Sequence, residues 1–180
     1  MATARVSRCF GMVLRVLLLF CATGTLPVHA ADAAKSPDES YLDELQGKWV
    51  MAGTLGGKPV RYFAEGQRVL DHAFIKLHMI EVGSPQRYEA DVFVGFDHKA
   101  KDYIAHWLDR FGAAGARVVA RGERQGQRLA LIFPYAEGAF RDTFTWQPVS
   151  GSWSLLLESQ GADGAWSTFA TYTLTRDVRH

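Results

Sequence analysis

The sequence predicts an all-β protein: an up-and-down antiparallel β-barrel of about ten strands, entered through one short N-terminal helix. Three observations carry this prediction. Beyond Gly47, apolar residues recur at every second position in segment after segment. Turn-forming residues separate those segments at short intervals. No run of helical period long enough for a βαβ crossover intervenes.

The chain begins with a different chemistry. Arg5, Arg8 and Arg15 precede the apolar run Val16 to Phe20, Leu26-Pro27 breaks it, and Val28-His29-Ala30 provides the small residues of a cleavage site. Residues 1–30 therefore read as a secretory signal peptide, which gives an exported chain, periplasmic or secreted. The apolar run is shorter than the ~20 residues of a spanning helix, so no stable membrane insertion is expected after cleavage. An uncleaved anchor is the alternative. Lipidation at Cys21 is disfavoured by bulky Phe20 just before it.

Cleavage after Ala30 removes Cys9 and Cys21, and the mature chain has no other cysteine. Disulfides, thiol nucleophiles and thiolate-bound metals are thereby excluded from it. Loss of the three leader arginines takes Lys+Arg from 20 to 17 against 19 acidic residues, a net charge of −2. The charges are interspersed, which argues against nucleic acid as a partner.

Residues 31–40 read as a flexible linker and helix start, and 41–180 as the barrel domain. Ser36 and Glu39 stand at capping-box spacing, and Pro37 occupies a position that tolerates proline. Tyr41, Leu42 and Leu45 form one apolar face, and Gly47 is expected to end a helix of about two turns.

The period then changes to two. Ala73, Ile75, Leu77 and Met79 share one face; so do Tyr88, Ala90, Val92, Val94 and Phe96. The pattern repeats through Leu129, Leu131, Phe133 and Tyr135, through Trp153, Leu155 and Leu157, and through Trp166, Ala170, Tyr172 and Leu174. Opposite positions are largely polar, as in antiparallel strands with one buried face. The hairpin-like connections favour closure of one sheet over a Greek-key sandwich. A barrel of this size encloses room for one small ligand.

Gly47-Lys48-Trp49 after the helix, and Tyr172 to Arg176 at the end, resemble the lipocalin-like (calycin) pattern. In that pattern a first-strand G-x-W meets a late arginine at the closed end of the barrel. The chain also resembles secreted bacterial lipocalin-like domains of unknown function in the segments Tyr103 to Asp109 and Phe140 to Thr145. The resemblance spans roughly Gly47 to Arg176. It implies barrel closure by Gly47, Trp49 and Arg176 and a binding role in general, with no ligand specified. An arginine over an indole face would supply a cation–π contact of ~0.5–2 kcal/mol.

Candidate ligand-binding residues are Tyr103, His106, Trp107, Tyr135, Asp142 and Phe144. Asp142 shares its face with Phe140, Phe144 and Trp146, and a carboxylate on a buried face is costly unless paired or neutralised. It reads either as a ligand anchor or as the partner of an internal arginine. Arg141 points the other way. In the segment 103–110 both faces mix apolar and polar residues, so the inward face is undecided; His106 is either a ligand contact or a hydrogen-bonded surface residue. His72 and His78, ~20 Å apart along a strand, cannot share a metal ion. No metal or cofactor is expected.

Standard enzyme patterns (G-x-S-x-G, H-E-x-x-H, the P-loop, G-x-G-x-x-G) are absent from the sequence. The first functional reading is capture of a small hydrophobic or amphipathic molecule, without chemistry. The alternatives are a barrel enzyme of isomerase or hydratase type using Asp142 or His106 as acid/base, and an interaction module with a filled core.

Overall fold

The short helix forms where its capping signals stand. In the structure, a computed structural model that describes residues 35–178, α1 covers Pro37–Asp43. The Ser36 hydroxyl accepts from the Glu39 N–H at 3.2 Å, and the Ser36 N–H donates to the Glu39 carboxylate at 3.0 Å. The expected signal peptide with Cys9 and Cys21, residues 31–34 of the expected linker, and His180 lie outside the described residues.

Ten strands follow: β1 (Gly47–Leu55), β2 (Lys58–Val69), β3 (Phe74–Glu81), β4 (Glu89–Asp97), β5 (Asp102–Asp109), β6 (Val119–Gln125), β7 (Arg128–Phe133), β8 (Phe140–Gln147), β9 (Ser152–Gln160) and β10 (Trp166–Arg176). Each pairs antiparallel with its neighbours in sequence, and β1 pairs with β10 to close the barrel. The helix ends at Asp43, and Gly47 instead opens β1. Glycine is required there twice over. Its φ is +105°, and a Cβ would stand 2.6 Å from Arg176 Nη1.

The alternating faces fall as the periodicity predicts, with two exceptions: Ala73 is exposed in the turn before β3, and β10 is irregular. Ile75, Leu77, Met79, Val92, Val94, Leu129, Leu131, Trp153, Leu155 and Leu174 are all buried in the barrel. In β10 a bulge between Thr168 and Ala170 shifts the register, so Trp166 does not share the inward face of Ala170, Tyr172 and Leu174. Trp166 instead stacks on the guanidinium of outward-facing Arg141, 4.3 Å from its ring centroid. Arg141 is also bonded to Glu158 at 2.8 Å.

The helix stops one end of the barrel. The carbonyls at a helix C-terminus have no intrahelical partner, and here side chains of the barrel floor supply the donors. Trp153 Nε1 donates to Glu44 O at 3.2 Å, Trp49 Nε1 to Leu45 O at 2.8 Å, and Arg176 Nη1 to Gln46 O. The Arg176 guanidinium carbon lies 3.8 Å from the Trp49 ring centroid, and these two residues face each other across the β1–β10 seam.

Arg68 on β2 ties the helix to the wall from the side. Its Nε donates to Asp43 at 2.7 Å and its Nη2 to Glu39 O at 2.5 Å. Arg68→Ala is expected to cost about 2 kcal/mol, since it removes a charged bond to Asp43 and the donor to the Glu39 carbonyl at a part-buried site. Chemical denaturation of both proteins measures this loss directly.

Candidate functional site

Packing inside the barrel is graded along its axis. Near the helix, Trp49, Trp153, Tyr103, Phe144, Leu129 and Leu131 fill the interior almost without solvent exposure. Toward the opposite end, where β5, β7 and β9 finish and β8 and β10 begin, the filling stops and a cavity opens. One lobe, about 450 Å³, is bounded by Trp107, Phe133, Tyr135, Phe140, Asp142 and Leu157. A second, about 400 Å³, lies against Met51, Val60, Tyr62, Met79 and Tyr172. Both touch Tyr88, Trp107, Asp109, Leu157 and Phe169, so they are contiguous. Small-molecule sites typically occupy ~300–1,000 Å³.

The walls are aromatic. Phe133 stacks on Tyr135 with centroids 6.0 Å apart, Tyr135 meets Phe140 edge-on at 6.0 Å, and Phe140 meets Phe169 at 5.3 Å. Across the mouth, Tyr172, Tyr62 and Tyr88 continue the series edge-to-face at 5.8 and 6.0 Å. Offset-stacked and edge-to-face contacts of this kind hold the rings in defined orientations. Phe169, beside the β10 bulge, remains partly exposed over both lobes.

Against this apolar surface stand a few polar groups. Asp142 is 3% exposed. Its register neighbours are Leu131 and Leu157. Among the described residues no hydrogen bond or ion pair satisfies its carboxylate. Burial alone raises its pKa from 3.8 to about 7, because the charged form loses hydration with no compensating donor. Nearby, Trp107 Nε1 donates to the Tyr88 hydroxyl at 2.9 Å, and that hydroxyl donates to Asp109 Oδ2 at 3.4 Å. Burial pushes the Tyr135 hydroxyl pKa up, and the charges of Asp142 and Asp109 add to the shift.

The predicted ligand-binding residues divide into three groups. Trp107, Tyr135 and Asp142 line the cavity together. Tyr103 and Phe144 face inward but lie at the stoppered end, so they are corrected from ligand contacts to floor residues. The Tyr103 hydroxyl donates to Asp38 O at 2.8 Å, and Phe144 packs edge-on against Trp153 at 6.4 Å. His106 is corrected to the outer face. The inward set of β5 is Tyr103, Ala105 and Trp107, while His106 Nε2 lies 2.7 Å from Ala116 O in the loop that follows the strand. Gly47, Trp49 and Arg176 meet at the closed end. Tyr88 and Asp109 were missed as site residues; once the inward face of β5 is known, Asp109 follows from Trp107 by the two-residue period.

No family model matches this chain, and no curated protein matches its sequence. Among solved structures, the fold is similar to that in the crystal structure of Rv2717c from M. tuberculosis. The two share 12% sequence identity at a TM-score of 0.53, over 79% of this chain and 98% of that one. The likeness is one of architecture: a closed antiparallel barrel.

Proposed function

We propose that the mature chain is an exported, lipocalin-like binding protein that holds a small, mostly apolar molecule in the open half of its barrel, without chemistry. The observation that carries this reading is the buried Asp142 carboxylate, unpartnered in an aromatic cavity of ligand size. An isolated buried carboxylate is costly to stability, and a bound molecule that offers it a donor would offset that cost. Capture would proceed by desolvation against the rings, with Asp142 and the Trp107–Tyr88–Asp109 chain fixing orientation. The export part rests on the basic and apolar pattern of residues 1–30, and the lipocalin-like part on Gly47, Trp49 and Arg176 at the closed end.

Titration with N-phenyl-1-naphthylamine, a neutral fluorophore, tests the cavity. The expected result is saturable binding with blue-shifted emission, weakened at least tenfold in Leu157→Trp, which fills the space between the lobes. Equal binding by both proteins would place the dye on the outer surface and defeat the reading.

One observation favours a second reading. A carboxyl with a pKa of about 7, beside further ionisable groups, is poised for acid–base work at neutral pH. Asp142 would then shuttle a proton on a bound substrate in an isomerase- or hydratase-type reaction. Mass analysis of a small molecule retained by the native protein separates the two. A molecule released unchanged after prolonged incubation supports the carrier; conversion into an isomer or hydrate supports the enzyme.

A further inference from the structure

We infer that the ligand of the barrel cavity is an organic cation, an amine or ammonium group on an apolar body, with its charged head set against Asp142. This inference rests on the small-molecule reading above and names the class of molecule.

Charge around the first lobe is one-sided. Asp109, Glu137 and Asp142 are its ionisable carboxyl groups, and among the described residues no Lys, Arg or His lines it. The basic side chains of the cavity, Lys58 and Arg87, belong to the second lobe, where Glu81 lies with them. The Glu81 carboxylate also accepts the Arg87 backbone N–H at 3.0 Å. An anionic head in the first lobe would therefore meet carboxylates and no counter-charge. A neutral head would leave Asp142 uncompensated whenever its carboxyl is ionised. A cationic head supplies both the donor and the charge that Asp142 lacks.

The walls select in the same direction. Aromatic faces carry negative quadrupole density, and cations are attracted to them, most strongly where water is excluded. Tyr135 and Phe140 border the lobe that holds Asp142, with Trp107 on its other side. Tyr135 feels the charges of both Asp142 and Asp109, so its ring lies within the field of two carboxylates. Asp109 already accepts a hydrogen bond from Tyr88. Asp142 has no such partner, which makes it the anchor and leaves Asp109 to extend the negative field.

Calorimetric titration at pH 8, where the Asp142 carboxyl is ionised, tests this with three matched probes: 2-naphthylmethylamine, 2-methylnaphthalene and 2-naphthoate, against the wild type, Asp142→Asn and Leu157→Trp. The expected result is that the amine binds the wild type at least tenfold more tightly than the hydrocarbon and that the carboxylate binds most weakly. Asp142→Asn should erase the amine's advantage while leaving hydrocarbon binding in place, and Leu157→Trp should weaken all three. Equal affinity for amine and hydrocarbon, or an amine preference that survives Asp142→Asn, overturns the inference but leaves a binding cavity standing. Absence of binding by every probe overturns both.

Discussion

Asp142→Asn is expected to stabilise the protein at pH 8 by about 3 kcal/mol, while abolishing preference for a cationic ligand. The magnitude follows from the rise of the carboxyl pKa from 3.8 to about 7 on folding, at 1.36 kcal/mol per unit, reduced for local relaxation. The sign is that of a carboxyl whose folded pKa lies above its unfolded one. Between about pH 4 and pH 7 the folded chain holds a proton that the unfolded chain has released. Wild-type stability therefore falls as pH rises through that window and is level above it. Asparagine does not titrate, so the advantage of the variant should be small near pH 4, grow to pH 7 and then stay constant. The other titratable groups around this carboxyl are Tyr135, Asp109 and Glu137 in the same lobe and Tyr172, which feels the Asp142 charge. The tyrosines are pushed upward by burial and remain neutral throughout the window. Urea denaturation of both proteins from pH 4 to pH 8.5 gives the result; parallel curves would show that Asp142 does not carry the penalty. A gain in stability coupled to a loss of binding is the trade expected where a site keeps an uncompensated charge for its ligand.

Trp49→Ala should be among the most damaging single changes in the barrel, at about 3–5 kcal/mol. The ring is fully buried, its N–H caps Leu45 O at 2.8 Å, and its face carries the Arg176 guanidinium at 3.8 Å. Truncation removes all three contributions at the point where helix, first strand and last strand meet. Trp166→Ala, outside the barrel on Arg141 at 4.3 Å, loses only a half-buried stack and should cost about 1 kcal/mol. Calorimetric melting of the two variants compares a floor indole with a surface one. Similar melting temperatures would mean that the G-x-W pattern does not close the barrel.

Much of this architecture was legible in the sequence because alternation reports which side of a sheet a residue faces. Leu77, Val92, Leu131 and Leu155 were placed correctly by parity alone, and so was Asp142. Parity does not report height along the barrel axis. Phe144 faces the interior as the period implies, and Tyr103 does so on a strand whose inward face the period leaves open, yet both stand on the helix side and meet the floor. Height is set by which end the helix occupies, a tertiary fact. Nor does alternation survive a bulge: the irregularity between Thr168 and Ala170 sends Trp166 outward, away from the inward set of its strand. On β5 the two faces are chemically alike, with Trp107 and Asp109 on one and His106 and Arg110 on the other. Only the neighbouring strands decide between them. The turn after β2 also carries no glycine or proline; Leu70, Asp71 and His72 adopt φ of 52°, 54° and 65° themselves.

The join between first and last strand has a consequence beyond enclosing a cavity. A sheet with two margins offers rows of unsatisfied amides and carbonyls, onto which a foreign peptide or a second copy can zip. A hoop has no margin. Whatever meets the barrel wall from outside must do so through side chains and loops, and self-propagating assembly of its strands first requires the Trp49–Arg176 clasp to be undone.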